Sequence, residues 1–200
     1  IASRPFDYFL YLGDVYNEGT FEEYQNNYDP NFGRFASKTF PTMGNHEFPN
    51  RLTGSDLYWQ SKRGSRPPRY YSFQASGWQV IVLNSELPVD NSSAQYAWLD
   101  NLLNITPSQG NCRIVIDHRP RYSGGAHGDN RDLEPIYSRL GGSAKIFLSG
   151  HDHNMQRFAP NRGITQFISG AGGRENYPIE MPSEGRLAWS YSHPKEPLSR

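Results

Sequence analysis

The 200-residue chain has a single cysteine, Cys112, which excludes an internal disulfide framework. That cysteine lies in the apolar run Cys112-Arg113-Ile114-Val115-Ile116 and reads as a packed thiol. Excess charge of either sign is also missing. Lys plus Arg and Asp plus Glu are 20 each, so no basic face for nucleic acid or for an anionic membrane is implied. Mean hydropathy is low, and no apolar run approaches the roughly 20 residues needed to span a bilayer. Internal repeats, domain linkers and a leader-type segment are not recognisable either. A chain of this length can bury one substantial core, and the expectation is a single domain over residues 1–200.

What is present is a set of short apolar runs that end in chemically capable residues. Asp7 to Leu12 runs into Gly13-Asp14, and Thr39 to Met43 into Gly44-Asn45-His46-Glu47. Cys112 to Ile116 runs into Asp117-His118, and Lys145 to Leu148 into Ser149-Gly150-His151-Asp152-His153. Each run has strand length and composition. In open α/β sheets ligands bind at the carboxyl ends of strands, so these four turns are placed to converge. The His151-x-His153 pair alone reads either as a metal-binding turn or as a polar loop; its repetition at four strand ends favours the former.

The rest of the chain alternates α and β signals. Phe21 to Tyr28 reads as a short helix, and Pro30 to Ser37 as a loop or a second short helix. Asn50 to Arg69, with its Gly, Ser, Arg and Pro, reads as a long excursion over the site. Tyr70 to Gln74 and Trp78 to Leu83 read as a hairpin. Ser92-x-x-Gln95 resembles a capping box ahead of the helical Ala97-Trp98-Leu99-x-x-Leu102-Leu103 spacing. Another helix is expected from about Asp132, with Pro135 in its first turn, to Leu140. Arg186 to Tyr191 is the one strand-like stretch of a polar, Pro-rich final segment.

Asp14, Asn45, His118, His151 and His153 together form a mixed O/N set suited to manganese, iron or zinc rather than calcium. A carboxylate can bridge two metals, and a metal pair can activate a hydroxide and clamp a phosphoryl group, which makes phosphate-ester hydrolysis the natural reaction. His46 follows the amide ligand and is better placed as an acid or a phosphate contact. Arg119 and Arg121 either pair with phosphate oxygens or stand as solvated surface arginines.

Gly13-Asp14, Gly44-Asn45-His46-Glu47, His118 and Gly150-His151-Asp152-His153, in this order and spacing, resemble the successive motifs of the calcineurin-like metallophosphoesterases. The segments Asp117 to Ser123 and Gly163 to Gly173 resemble the purple acid phosphatase-like branch. The likeness runs from about Phe6 to about Gly173. It implies a mixed α/β fold, a β-sandwich of two mixed sheets flanked by helices, truncated at both ends.

The resemblance also implies two divalent or trivalent transition metals (Fe, Zn or Mn), with Asp14 as the bridging carboxylate. It assigns Asn45, His118 and His151 to one metal and His153 to the other. His46 resembles the histidine that contacts the phosphate and protonates the leaving group. His127, in Gly124-Gly125-Ala126-His127-Gly128, is similar to a second active-site histidine, or else belongs to a surface loop.

Two departures stand out. The branch usually has a tyrosine ligand three residues after the bridging aspartate, where this chain has Asn17. Tyr16, one place early, is either a ligand or an aromatic packed under the loop. The family's first aspartate motif is not in this sequence, and Asp7, which starts a strand, cannot replace it.

The expected activity is hydrolysis of phosphate monoesters or diesters, acid phosphatase-like, with a small-molecule or nucleotide substrate. The alternative is a truncated or degenerate non-catalytic member acting as a structural or binding component. Extracytoplasmic or secreted localisation follows from the resemblance. The sequons Asn91-Ser92-Ser93 and Asn104-Ile105-Thr106 matter only on a eukaryotic secretory route. Oligomeric state has no signature.

Overall fold

The structure, a computed structural model, describes residues 4–106, 112–180 and 183–192. Its strands are β1 (Phe9–Tyr11), β2 (Thr39–Pro41), β3 (Tyr71–Ala75), β4 (Trp78–Val82), β5 (Cys112–Ile116), β6 (Ile146–Ser149), β7 (Met155–Phe158), β8 (Thr165–Ser169) and β9 (Leu187–Tyr191). β1 and β2 pair in parallel as a small sheet, and the other seven form a mixed sheet in the order β3-β4-β5-β6-β8-β7-β9. Within it β4, β5, β6 and β8 are parallel, while β3, β7 and β9 are antiparallel to their neighbours.

Side-chain alternation divides the core between the two faces of the large sheet. Ile81, Val115 and Phe147 point to the face covered by the Ala94–Ile105 and Glu134–Leu140 helices, where they meet Leu99, Leu103, Ile136 and Leu140. Val80, Val82 and Ile116 point the other way and pack with Leu10 and Leu12 from the β1 segment. The two sheets therefore lie face to face, with helices outside the larger one. A third cluster, built on Tyr24, Tyr28, Tyr58 and Trp59, anchors the helical segments beside β1.

Several segments differ from the sequence-based expectations. The excursion from Asn50 to Arg69 contains a regular helix, Ser55–Arg63. It starts at Gly54 with no side-chain cap, so no capping residue marks it, and its buried face includes Asp56, which is paired with Arg69 at 2.7 Å. Phe21 to Lys38 is one continuous but irregular helical run that passes through π and 3-10 turns around Pro30. The cap of the Ala94–Ile105 helix is Ser93, one residue later than expected, with its hydroxyl accepting from the Tyr96 N–H. Gln95 leaves the cap and instead pairs with both backbone groups of Asn84. A Ser93→Ala protein is expected to lose about 1 kcal/mol in urea unfolding, whereas Ser92→Ala at the originally expected cap should lose less.

Candidate metal centre

Parallel pairing places the carboxyl ends of β1 and β2, and of β5 and β6, at common edges. The turns that follow are stitched together by backbone bonds: Thr42 N–H to Tyr11 O, Asp117 N–H to Leu148 O and Gly150 N–H to His118 O. His118, fully buried, joins the two sheets by directing Nδ1 at Leu12 O, 2.8 Å away.

The opposite ring nitrogen, His118 Nε2, faces Asn45 Oδ1 at 3.0 Å, His151 Nδ1 at 3.1 Å and Asp14 Oδ2 at 3.2 Å. Asp14, His118 and His151 are the His/Cys/Asp/Glu group among the described residues whose ligand atoms all lie within 4.8 Å of one another. If Nδ1 carries the proton given to Leu12 O, a neutral His118 presents the lone pair of Nε2 towards Asn45 Oδ1, Asp14 Oδ2 and His151 Nδ1. The O/O/N/N donor set gathered here fits a transition metal.

The electrostatics agree. Burial works to raise the Asp14 carboxyl, but the hydrogen bond and charge of His118 override it and hold Asp14 at about 2. Burial likewise opposes a charged His118, yet Asp14 and then Glu47 lift it above the ordinary histidine value. His151 is pushed down to about 3, first by burial and then by His118, His127 and Arg119.

The backbone around Asp14 is unusual. Asp14 and His151 are non-glycine residues at φ 62° and 66°, a conformation that persists only where surroundings impose it. For Asp14 the imposing group is Glu47. This buried carboxylate accepts from the Asp14 N–H at 2.9 and 3.0 Å and from the Val15 N–H at 3.3 Å, while the His46 N–H donates to Asp14 Oδ1 at 3.1 Å. Close approach also requires the preceding Gly13, where a Cβ would stand 2.7 Å from His118 Nδ1.

The remaining expected residues lie around this group. His46 directs Nδ1 at Asn17 O, 2.5 Å away. His127 stacks against His151 with ring centroids 4.0 Å apart, and its Nδ1 is 2.8 Å from Asp152 Oδ1. Asp152 is buried and also accepts from the Ser123 hydroxyl, so it anchors His127, whose side chain is 41 % exposed. His153 has Nδ1 3.0 Å from Glu175 O, and its ring stacks on Tyr177 at 4.2 Å. Tyr16 is 56 % exposed, which removes its reading as an aromatic packed under the loop.

Arg121 fits neither expectation, since it is buried and paired with Glu134 and Glu184. Arg119 is half-buried, paired with Glu86 at 2.6 Å, and its Nη1 lies 3.2 Å from His151 Nε2. The supporting carboxylates Glu47, Glu86 and Asp152 were not legible as such. Glu47 and Asp152 sit inside recognised motifs, but nothing in a sequence tells a carboxylate that binds metal from one that turns back to a neighbouring backbone or ring.

A layered mixed α/β fold with Asp, Asn and two His gathered at strand ends defines a protein with a candidate transition-metal site. The chain belongs to the calcineurin-like phosphoesterase family, whose profile matches residues 1–155. It is 29 % identical over its full length to Purple acid phosphatase 21 of Arabidopsis thaliana, covering 49 % of that protein. To Tartrate-resistant acid phosphatase type 5 of Rattus norvegicus it is 24 % identical over 83 % of this chain and 61 % of that one.

Among solved structures, a purple acid phosphatase from yellow lupin (Lupinus luteus) seeds shares the fold. The TM-score is 0.76 at 16 % identity, over 91 % of this chain and 40 % of that one. GAP50, the anchor in the inner membrane complex of Plasmodium, also shares it, with a TM-score of 0.73 at 16 % identity over 92 % and 67 %. The chain spans about half the length of the plant relative that it matches end to end.

Proposed function

We propose that this chain carries the catalytic domain, over residues 1–200, of a metal-dependent phosphoesterase of the acid phosphatase type. It would hydrolyse phosphate monoesters or diesters of small molecules or nucleotides. The observation that supports this most is the convergence of Asn45 Oδ1, Asp14 Oδ2 and His151 Nδ1 on His118 Nε2, all within 3.2 Å. Family membership and full-length likeness to purple acid phosphatases support the reaction class.

In this reading Asp14, Asn45, His118 and His151 would hold one metal. His153, whose Nδ1 lies 3.0 Å from Glu175 O, would offer Nε2 to a second metal, and Tyr16 would be a further residue to hold it. Iron, zinc or manganese ions at these positions would supply Lewis acidity and a water of lowered pKa. The chain's own residues do the rest. Glu47 and the His46 N–H fix the Asp14 carboxylate in place. His46 and His127 stand ready to contact the phosphate and to deliver a proton to the leaving group, His127 oriented by Asp152. Among the described residues no helix is long and apolar enough to cross a membrane; an extracytoplasmic or secreted setting is proposed from the family resemblance alone.

The test is hydrolysis of p-nitrophenyl phosphate and its bis ester with added manganese, zinc or iron. Absence of turnover with every metal would sink the catalytic reading in favour of a structural or binding role. Asn45→Ala and His151→Ala are expected to strip metal, measured by elemental analysis of the purified protein. His46→Ala is expected to slow hydrolysis by about 10²-fold or more while metal content stays near that of the parent. Equal metal loss in all three would contradict the roles assigned.

A further inference from the structure

A cleft of about 880 Å³ opens beside the candidate centre, and its inner wall is made by His151, His127 and Arg119. It runs outward between the loop after β4, which carries Glu86 and Asp90, and the segment before the Glu134–Leu140 helix, which carries Asp129, Arg131 and Asp132. A phosphate held at the strand ends would direct its ester group along this cleft, which is large enough for a small organic leaving group.

Charge along the cleft is uneven. Both of its arginines are engaged, Arg119 with Glu86 at 2.6 Å and Arg131 at 2.7 Å with Glu184, a carboxylate that it shares with Arg121. None of its three aspartates forms an ion pair with a cation among the described residues. Asp90 binds the Ser92 N–H and hydroxyl. Asp129 accepts only from neutral donors, the Ser123 and Glu184 N–H groups and the Ser183 hydroxyl. Asp132 and Asp90 are exposed. The carboxylates of the cleft, Glu86, Asp90, Asp129 and Asp132, therefore outnumber its two arginines, although the chain as a whole has formal net charge zero.

We propose that this cleft selects phosphate esters whose leaving group carries a cationic centre, such as an alkylammonium, and rejects those with a second anionic group. This rests on the phosphoesterase reading for its catalytic meaning. An excess of negative charge along a cleft raises the local concentration of cationic ligands, and like charge brought against it costs free energy.

The experiment compares O-phosphoethanolamine with phosphoglycolate, two esters of similar size and opposite terminal charge, using the metal-loaded full chain. Both kcat/KM and calorimetric binding are read. The expected ratio in favour of phosphoethanolamine is about ten-fold or more at low salt, shrinking as ionic strength rises towards 1 M and the screening length falls to about 3 Å. Asp90→Asn combined with Asp132→Asn should bring the ratio towards one, and Asp132→Lys should move it further in the same direction. Taking each ratio within one preparation cancels losses of folded or metal-loaded protein.

A ratio near one in the parent, or one unchanged in both variants, overturns the proposal. Turnover of p-nitrophenyl phosphate with no charge preference sinks the cleft's role and leaves the phosphoesterase reading. A charge preference in binding without turnover of any ester does the opposite.

Discussion

A Gly44→Ala protein is expected to be less stable by about 1–3 kcal/mol and to bind metal at least about ten-fold more weakly. A Cβ at Gly44 would stand 2.3 Å from Asp14 Oδ1 and 2.5 Å from the Asp14 backbone nitrogen. The second contact is with backbone, so no side-chain rotation relieves it. Asp14 cannot retreat without loss, because Glu47 holds its N–H, the His46 N–H holds Oδ1, and its φ of 62° already lies where L-residues are rare. Moving Asp14 also moves Oδ2 away from His118 Nε2. The contrasting substitution is Gly172→Ala, where nothing lies within 4 Å, and a change below about 0.5 kcal/mol is expected. Urea unfolding of the metal-free proteins and calorimetric zinc titration check both. Parent-like zinc affinity in Gly44→Ala would show that Asp14 is not confined as described.

The strand ends were legible because each of four runs joins apolar character to an abrupt polar stop, a pattern that buried strands impose. β5 runs from Cys112 to Ile116 as the sequence implied, and β6 is displaced by a single residue to Ile146–Ser149. β7 was not legible. Met155-Gln156-Arg157-Phe158 alternates exposed and buried positions, but its first buried side chain is Gln156, which satisfies the Gly124 N–H and the Ser123 hydroxyl. Buried polar side chains of this kind, with Gln95 and Gln166, carry loop backbone bonds that a hydrophobic pattern cannot report.

The same limit applies to the site. Ligand types and their order were readable from strand-end position, and Asp14, Asn45, His118 and His151 do come together. The groups that orient them were not readable. Arg121 illustrates the difficulty: two residues from Arg119 in sequence, it is consumed by Glu134 and Glu184, whereas Arg119 reaches His151. That divergence depends on which loops pack nearby, and so on tertiary structure.

In metal-free protein, the stability advantage of the parent over Glu47→Gln is expected to shrink by up to about 3 kcal/mol as pH rises from about 4 to about 8. Burial, and then the charge of Asp14, raise Glu47 from 4.5 to about 7. Between those values the folded chain retains a proton that the unfolded chain has released, so linkage makes stability fall as pH rises. Asp117, raised by burial from 3.8 to about 6, acts in the same direction.

His151 acts in the opposite direction. It is held neutral in the folded chain down to about 3, so between there and 6.5 only the unfolded chain is protonated, and stability rises with pH. These opposing slopes flatten the parent's own curve, and for that reason the difference between parent and Glu47→Gln is the quantity to measure, by reversible urea unfolding in chelator. Metal should weaken the effect, because a cation on Asp14 offsets the negative charge that helps to raise Glu47. An advantage that grows with pH instead would mean that the Asp14 and Val15 N–H groups keep Glu47 ionised throughout, and that the clamp on Asp14 is anionic at acid pH as well.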